Sequence, residues 1–183
     1  MNVDTFLNNK YVNITAMILV LVTGLLVRLY DMDDLPLDFN PTRQLHSAVI
    51  ARGMYYEGLQ DIPETVRSLA VSTWKEQGMI EPQIIERLSA TAYSLLGQEA
   101  LWVPRLLSIV FWLIGALALY RLTFLVLNQT AALISLFFFW LLPFGAIASR
   151  AFMPDPLMVC VIILSYLALV NWNKQPNWKN TII

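Results

Sequence analysis

The sequence predicts an all-α integral membrane protein, with roughly four membrane-spanning helices and one large polar loop between the first and the second. Two observations on composition and one on its distribution carry this expectation. Of 183 residues, 57% are hydrophobic and 14% are charged, whereas about a quarter of an average soluble domain is charged. The charges are also segregated. Tyr11 to Arg28, Leu106 to Tyr120, Thr130 to Ala148 and Leu157 to Trp172 contain no acidic residue, and Arg28 is their only basic one. Each stretch approaches the roughly 20 apolar residues that a bilayer crossing needs.

In chain order, residues 11–30 predict a retained anchor rather than a cleaved signal peptide. Only Lys10 precedes the apolar run closely, no small-x-small cleavage site follows it, and Arg28, Tyr30 and Asp31 close it. Residues 31–104 form the long loop, in which apolar residues recur at helical spacing. One helix is expected to begin at Asn40-Pro41, with Asn40 as N-cap and Pro41 at the first helical position, and to run through Arg43, His46, Ile50 and Tyr55. A second is expected from Pro63 to Gln77. A third carries Ile84, Ile85, Leu88, Ala92, Leu95 and Leu96 on one face and Gln83, Glu86 and Ser94 on the other, with Gly97 as C-cap. Amphipathic helices that follow an anchor tend to lie along the interface, apolar face toward the headgroup boundary. Residues 105–126, 130–149 and 157–172 are the remaining predicted spans. Residues 173–183 read as a cytoplasmic segment leading to a missing fifth helix, so the chain reads as a fragment or one part of a split protein, inactive on its own.

With the N-terminus cytoplasmic, Lys10, Arg121, Lys174 and Lys179 lie inside and only Arg150 occupies the short outer loop, as the positive-inside rule prefers. Twelve of the 13 acidic residues, all but Asp4, then face the outer side, and polar chemistry is expected there. Tyr30 and Trp102 fall at the outer boundary and Tyr11 and Trp172 at the inner one, while Trp112 and Trp140 lie deeper and are expected to pack between helices. The net charge of −1 gives no reason to expect a nucleic-acid partner. One His and one Cys, Cys160, exclude a zinc cluster of His/Cys type within the chain and any internal disulfide. There is no Gly-rich phosphate loop and no nucleophile elbow.

Two acidic strings stand at the predicted outer boundary. In Leu35 to His46, Asp38 precedes a helix start, and Arg43 and His46, three residues apart, share a helix face. One carboxylate and two potential cations there could hold an anion near a proton acceptor. In Ser149-Arg150-Ala151-Phe152-Met153-Pro154-Asp155-Pro156, a structural reading competes with a chemical one. Asp155 before Pro156 is a ready N-cap worth about 1 kcal/mol, and Arg150 can snorkel from its helix end.

The order of these pieces resembles the N-terminal part of the GT-C glycosyltransferases, particularly family 39, which includes protein O-mannosyltransferases and the transferases that add aminoarabinose to lipid A. The strings that carry the resemblance are Asp38 with Arg52-Gly53-Met54, then Gly97-Gln98-Glu99-Ala100-Leu101-Trp102-Val103-Pro104-Arg105-Leu106-Leu107-Ser108, then Ser149 to Pro156. Two positions depart from the pattern. Asp38 is followed by Phe39 and Asn40 where the family usually has Asp-Glu, and Glu81-Pro82 stands where it has a basic or His-Pro pair.

The resemblance implies a partial GT-C fold in a multi-pass protein of the bacterial plasma membrane. It further implies transfer of a sugar from a polyprenyl-phosphate donor to an acceptor on the outer face. Asp38 would be the catalytic base, Asp155 would position the acceptor, and Arg43, His46 or Arg150 would bind the donor phosphate. If a divalent cation takes part, Asp38 and Asp155 are the hard ligands that would share magnesium or manganese. The lipid bilayer, the lipid-linked sugar and the remaining helices of the parent protein or another membrane subunit are the partners implied. The rival reading is a noncatalytic membrane subunit or scaffold whose outer loop docks a partner. A transporter ranks last, because no polar residue interrupts the middle of the third or fourth span.

Overall fold

The computed structural model describes residues 10–78, 80–174 and 176. Asp4, Lys179 and the stretch 177–183 expected to open a further helix lie outside the described residues. Eight helices and no strand are present among the described residues: α1 Lys10–Leu29, α2 Pro41–Glu57, α3 Glu64–Glu76, α4 Ile84–Leu96, α5 Trp102–Val126, α6 Gln129–Leu141, α7 Pro143–Ala148 and α8 Asp155–Lys174. Three of them, α1 from Tyr11, α5 and α8, are long and apolar enough to cross a membrane. The chain is thus an all-α membrane protein. Its described residues group into two compact units, one within Met1–Tyr30, Val110–Ile147 and Leu157–Ile183, the other within Asp31–Ile109 and Ala148–Pro156.

In the first unit, α1 packs against α6. The expected span 130–149 is not one helix. Leu142 takes an extended conformation, with φ −60° and ψ 139°, because the ring of Pro143 disfavours the α region for the residue before it. Pro143 also has no N–H to offer the carbonyl of Phe139, four residues back. The indole Nε1 of Trp112 donates to that carbonyl instead, at 3.3 Å, and its ring stacks on Phe139 with centroids 4.7 Å apart.

A buried guanidinium serves the same broken helix. Arg28 is fully buried; it donates from Nη1 to the Gly24 carbonyl (2.9 Å) and from Nη2 to the Gly145 carbonyl (3.2 Å), and lies 3.9 Å over the Trp140 ring. Trp140 in turn donates to the Leu21 carbonyl at 3.1 Å. Trp112 and Trp140 therefore pack inside the bundle, as expected from their depth in the sequence.

In the second unit, α2 packs against both α3 and α4. The start of α2 is where the sequence placed it, but Asn40 does not cap it with its side chain. Asn40 is left-handed, φ 50° and ψ 60°, a conformation that Asn tolerates better than most residues. Its backbone carbonyl accepts from Arg43 and Gln44. Helix α4 ends at Gly97, φ 73°, as expected, and most of its expected apolar face is left outside the protein core, although Ile85 of that face is buried with Glu86 of the other. Ile85, Glu86, Ser89, Ala90 and Tyr93 are buried, while Ile84, Leu88, Leu95 and Leu96 are exposed. The carboxylate of Glu86 accepts from Ser47 Oγ of α2 at 2.7 Å. That buried polar pair, rather than hydrophobicity alone, orients the helix.

Candidate functional site

The first turns of α2 position most of the site. Consecutive helical residues point about 100° apart, so Arg43 and Gln44 reach in different directions. Arg43 Nη2 donates to both carboxylate oxygens of Glu81 at 2.9 Å, and Nη1 lies 3.3 Å from Asp155 Oδ2. Those two carboxylates raise the Arg43 pKa further, the Glu81 hydrogen bond most of all. Gln44 is fully buried. Its amide nitrogen donates to Asp38 Oδ1 at 3.2 Å and to the Phe39 carbonyl, while its amide oxygen accepts from the Phe152 backbone N–H at 2.9 Å.

Adjacent residues thus tie the two acidic strings to one helix start: Arg43 to Asp155 of the second string, and Gln44 to Asp38 of the first and to Phe152 of the second. No direct hydrogen bond joins Asp38 to Asp155. Asp155 opens α8, where the helix dipole favours a carboxylate, and its side chain faces Arg43.

His46 does share the Arg43 side of the helix in its choice of partners. Its Nδ1 lies 3.0 Å from Gln77 Oε1, in the same α3–α4 connection that supplies Glu81. Arg150 is placed elsewhere. Its Nη2 donates to the Asp31 backbone carbonyl at 2.8 Å, and Arg105 Nη1 donates to that same oxygen at 2.8 Å while Nη2 reaches the Leu35 carbonyl at 3.2 Å. Two guanidinium groups therefore meet on one carbonyl, at the left-handed residue Asp31 (φ 57°), and Asp38 acts on Arg105 electrostatically. Among the described residues, neither Arg105 nor Arg150 forms an ion pair. The carboxyl of Asp31 sits above the usual range, chiefly through its side-chain hydrogen bond with Asp34 and then through burial and repulsion by that neighbour.

The second string is no exposed loop. Ala151, Phe152 and Met153 are buried, and Ser108 Oγ donates to the Ala151 carbonyl at 2.9 Å. A cavity of about 420 Å³ in the same unit lies to one side, walled mainly by Leu45, Val49, Tyr93 and Leu101, with Arg52 and Glu99 at its rim. Arg52 and Glu99 pair at 3.3 Å.

A cation shared by Asp38 and Asp155 does not fit this arrangement. Each carboxylate faces a nitrogen donor, Gln44 for one and Arg43 for the other. Among the described residues no three His, Cys, Asp or Glu side chains converge.

Sequence reasoning passed over Gln44 and Arg105, and it read Glu81 as a departure rather than as the partner of Arg43. Arg105 stood in the Trp102-Val103-Pro104-Arg105-Leu106 string without a role. For Gln44 the available signal was a polar residue on a helix face otherwise committed to burial, beside Ser47, Ile50 and Ala51.

The sequence model of the dolichyl-phosphate-mannose-protein mannosyltransferase family matches residues 82–183, more than half of the chain. The match includes Arg105, Arg150 and Asp155. No curated protein and no solved structure matches the chain. The chain, an all-helical membrane protein whose second acidic string lies within the matched region, belongs to the dolichyl-phosphate-mannose-protein mannosyltransferase family.

Proposed function

We propose that the chain supplies the acceptor-activating and phosphate-facing residues of a membrane glycosyltransferase. The enzyme moves a sugar from a polyprenyl-phosphate donor to an acceptor hydroxyl on the outer face of the membrane, with the N-terminus cytoplasmic. The observation that carries this reading is the Arg43–Gln44 pair, which ties the Asp38 and Asp155 strings to the first turn of α2. Family membership supports the reaction class.

In the reaction, the acceptor oxygen forms a bond to the sugar's anomeric carbon as the bond from that carbon to the donor phosphate breaks. Asp38 takes the hydroxyl proton, and the phosphate leaves on its lipid. A general base of this kind contributes on the order of 10²- to 10⁴-fold. Asp155, fixed by Arg43, positions the acceptor.

The departing phosphate gains charge, and donors already aimed at it stabilise that charge without reorganising. Arg150 is the best placed of the cations named from the sequence, and Arg105 joins it. Both are held by backbone carbonyls, and neither forms a direct ion pair among the described residues. Arg43 and His46 stabilise the phosphate from the other side, Arg43 by exchanging Glu81 for the ligand, since planar guanidinium recognises carboxylate and phosphate with the same fork.

The test is Asp38→Asn in the full-length protein, reconstituted in proteoliposomes and assayed for sugar transfer from a polyprenyl-phosphate donor. The substitution is expected to lower turnover by about 10²-fold or more. Turnover equal to that of the unsubstituted protein would remove Asp38 from the mechanism.

A further inference from the structure

The C-terminus of α3 decides which ring nitrogen of His46 carries a proton. The last carbonyls of a helix lose the backbone donors four residues on. For Thr73 that donor would be the Gln77 N–H, which turns instead to the Trp74 carbonyl at 3.0 Å. The Gln77 side chain takes its place: the amide nitrogen donates to the Thr73 carbonyl at 3.2 Å. A carbonyl only accepts, so turning the amide over would set two oxygens against each other. The Gln77 amide oxygen is thereby fixed toward His46 Nδ1, 3.0 Å away, and it too only accepts. Nδ1 therefore carries the proton, and the lone pair of the neutral ring lies on Nε2.

A second observation concerns the surroundings of that ring. His46 follows Arg43 by three residues on α2, where side chains are neighbours, and the connection that brings Gln77 to His46 also brings Glu81 to Arg43. The ring is half-buried, and among the described residues Nε2 has no hydrogen-bond partner. The charged groups around it are Arg43 on its own helix, Glu81 on the connection and Glu86 on α4, which acts on His46 electrostatically. Arg87 of α4 is exposed. On α3, Arg67 and Lys75 pair with Glu64 and Glu57, and Glu76 is exposed. What α3 presents to the imidazole is thus the uncharged Gln77 amide.

We propose that His46 is a general acid acting through Nε2, and that Gln77 is its positioning residue. The role rests on the transfer reaction proposed above for its substrate. A sugar phosphodiester carries a single negative charge, and its phosphate leaves as a monoester with a second. As the bond from the anomeric carbon to the phosphate oxygen breaks, the electron pair stays on that oxygen and the Nε2 proton passes to it. The acceptor's own proton goes to Asp38, so His46 ends neutral and regains its proton from solvent before the next turnover. A phosphate monoester takes up its second proton at a pH of about 6, a range in which imidazole also titrates, so the transfer needs little driving force. With Nδ1–H committed to Gln77, the ring gains and loses its proton at Nε2 alone.

The test has two arms. The chain contains one histidine, so nitrogen-15 histidine labelling, with a purification tag free of histidine, reports His46 alone. Two-bond proton–nitrogen correlation in lipid nanodiscs, at a pH where the ring is neutral, is expected to show the Nδ1–H form, and Gln77→Met to release it to mixed tautomers. An Nε2–H form in the unsubstituted chain overturns the inference without any assay of turnover. In the second arm, the pH profile of sugar transfer is measured in the full-length protein. His46→Gln is expected to lower turnover by about 10²-fold and to flatten the fall at high pH. Gln77→Glu, whose carboxylate favours the imidazolium, is expected to move that fall upward by about one pH unit. A role in packing alone would lower turnover at every pH alike, and a limb that Gln77→Glu leaves in place overturns the acid role. Absence of sugar transfer from the unsubstituted protein would remove the transfer reading and the acid role with it, while the tautomer would stand or fall on the spectrum.

Discussion

Two arginines, one in each compact unit, are satisfied in opposite ways. Arg28 in α1 is fully buried and is held by the carbonyls of Gly24 and Gly145 and by the face of Trp140. Arg43 at the start of α2 keeps 36% of its side chain exposed and is held by the carboxylates of Glu81 and Asp155. Fixed dipoles and a π-face suit a cation that must stay put where water is excluded. Carboxylates near water can trade places with a phosphate, because desolvation is small and the exchange is between like ligands. The comparison separates a cation that builds structure from one suited to a substrate.

Arg28→Ala breaks the comparison most directly. It removes a buried side chain packed on Trp140 and two hydrogen bonds to carbonyls, and is expected to cost about 3 kcal/mol, read as a lower denaturation midpoint of the detergent-solubilised protein. An unaltered midpoint would mean that the guanidinium does not hold α7. Gly24→Ala probes the same packing without touching the charge. A Cβ there would stand 2.1 Å from Trp140 Nε1, so Trp140 must move from its hydrogen bond to Leu21, at a cost of about 1–3 kcal/mol. Near-ultraviolet circular dichroism reports the displaced indole directly.

Glu86 sharpens the contrast from within the second unit. Burial raises its pKa, and the hydrogen bond from Ser47 only partly offsets this. A carboxyl whose folded pKa is raised contributes stability in full below its unfolded pKa, and that contribution is lost as pH rises through the folded pKa. Stability is therefore expected to decline over that window, and Glu86→Gln to flatten the decline. Denaturation measured across pH in both proteins decides it; an identical slope would show that Glu86 is not the group responsible.

The smallest stability effect is expected from Arg43→Ala. Half-exposed ion pairs contribute roughly 0–1 kcal/mol, so the midpoint should barely move while sugar transfer falls. A large loss of stability would place Arg43 with Arg28 as a structural cation.

Much of the fold was legible because its cause is local. Tyr11 to Arg28 and Leu157 to Trp172 are apolar runs, and their length alone makes helices of them in a membrane. Pro41, Pro63 and Gly97 mark helix ends through φ restrictions that act within one or two residues. Pro143 was equally visible and carried the break in the third span, yet a hydropathy average passes over it, because proline costs little in apolarity and much in backbone hydrogen bonding. The acidic strings were legible as types and places; Asp38 meets Gln44 and Asp155 meets Arg43, two neighbours in the first turn of α2.

Partners were another matter. That Glu81 answers Arg43, that Gln44 joins both acidic strings, that Arg105 meets Arg150 on the Asp31 carbonyl, and that α4 turns Glu86 inward all depend on which helices pack together. The amino-acid sequence by itself determined a helical membrane chain and several of its helix ends, since apolar length and backbone restriction act locally. Tertiary structure alone decided which carboxylate each cation meets. A hydrogen bond or ion pair acts over a few ångströms, between residues such as Arg43 and Asp155 that the chain itself holds far apart.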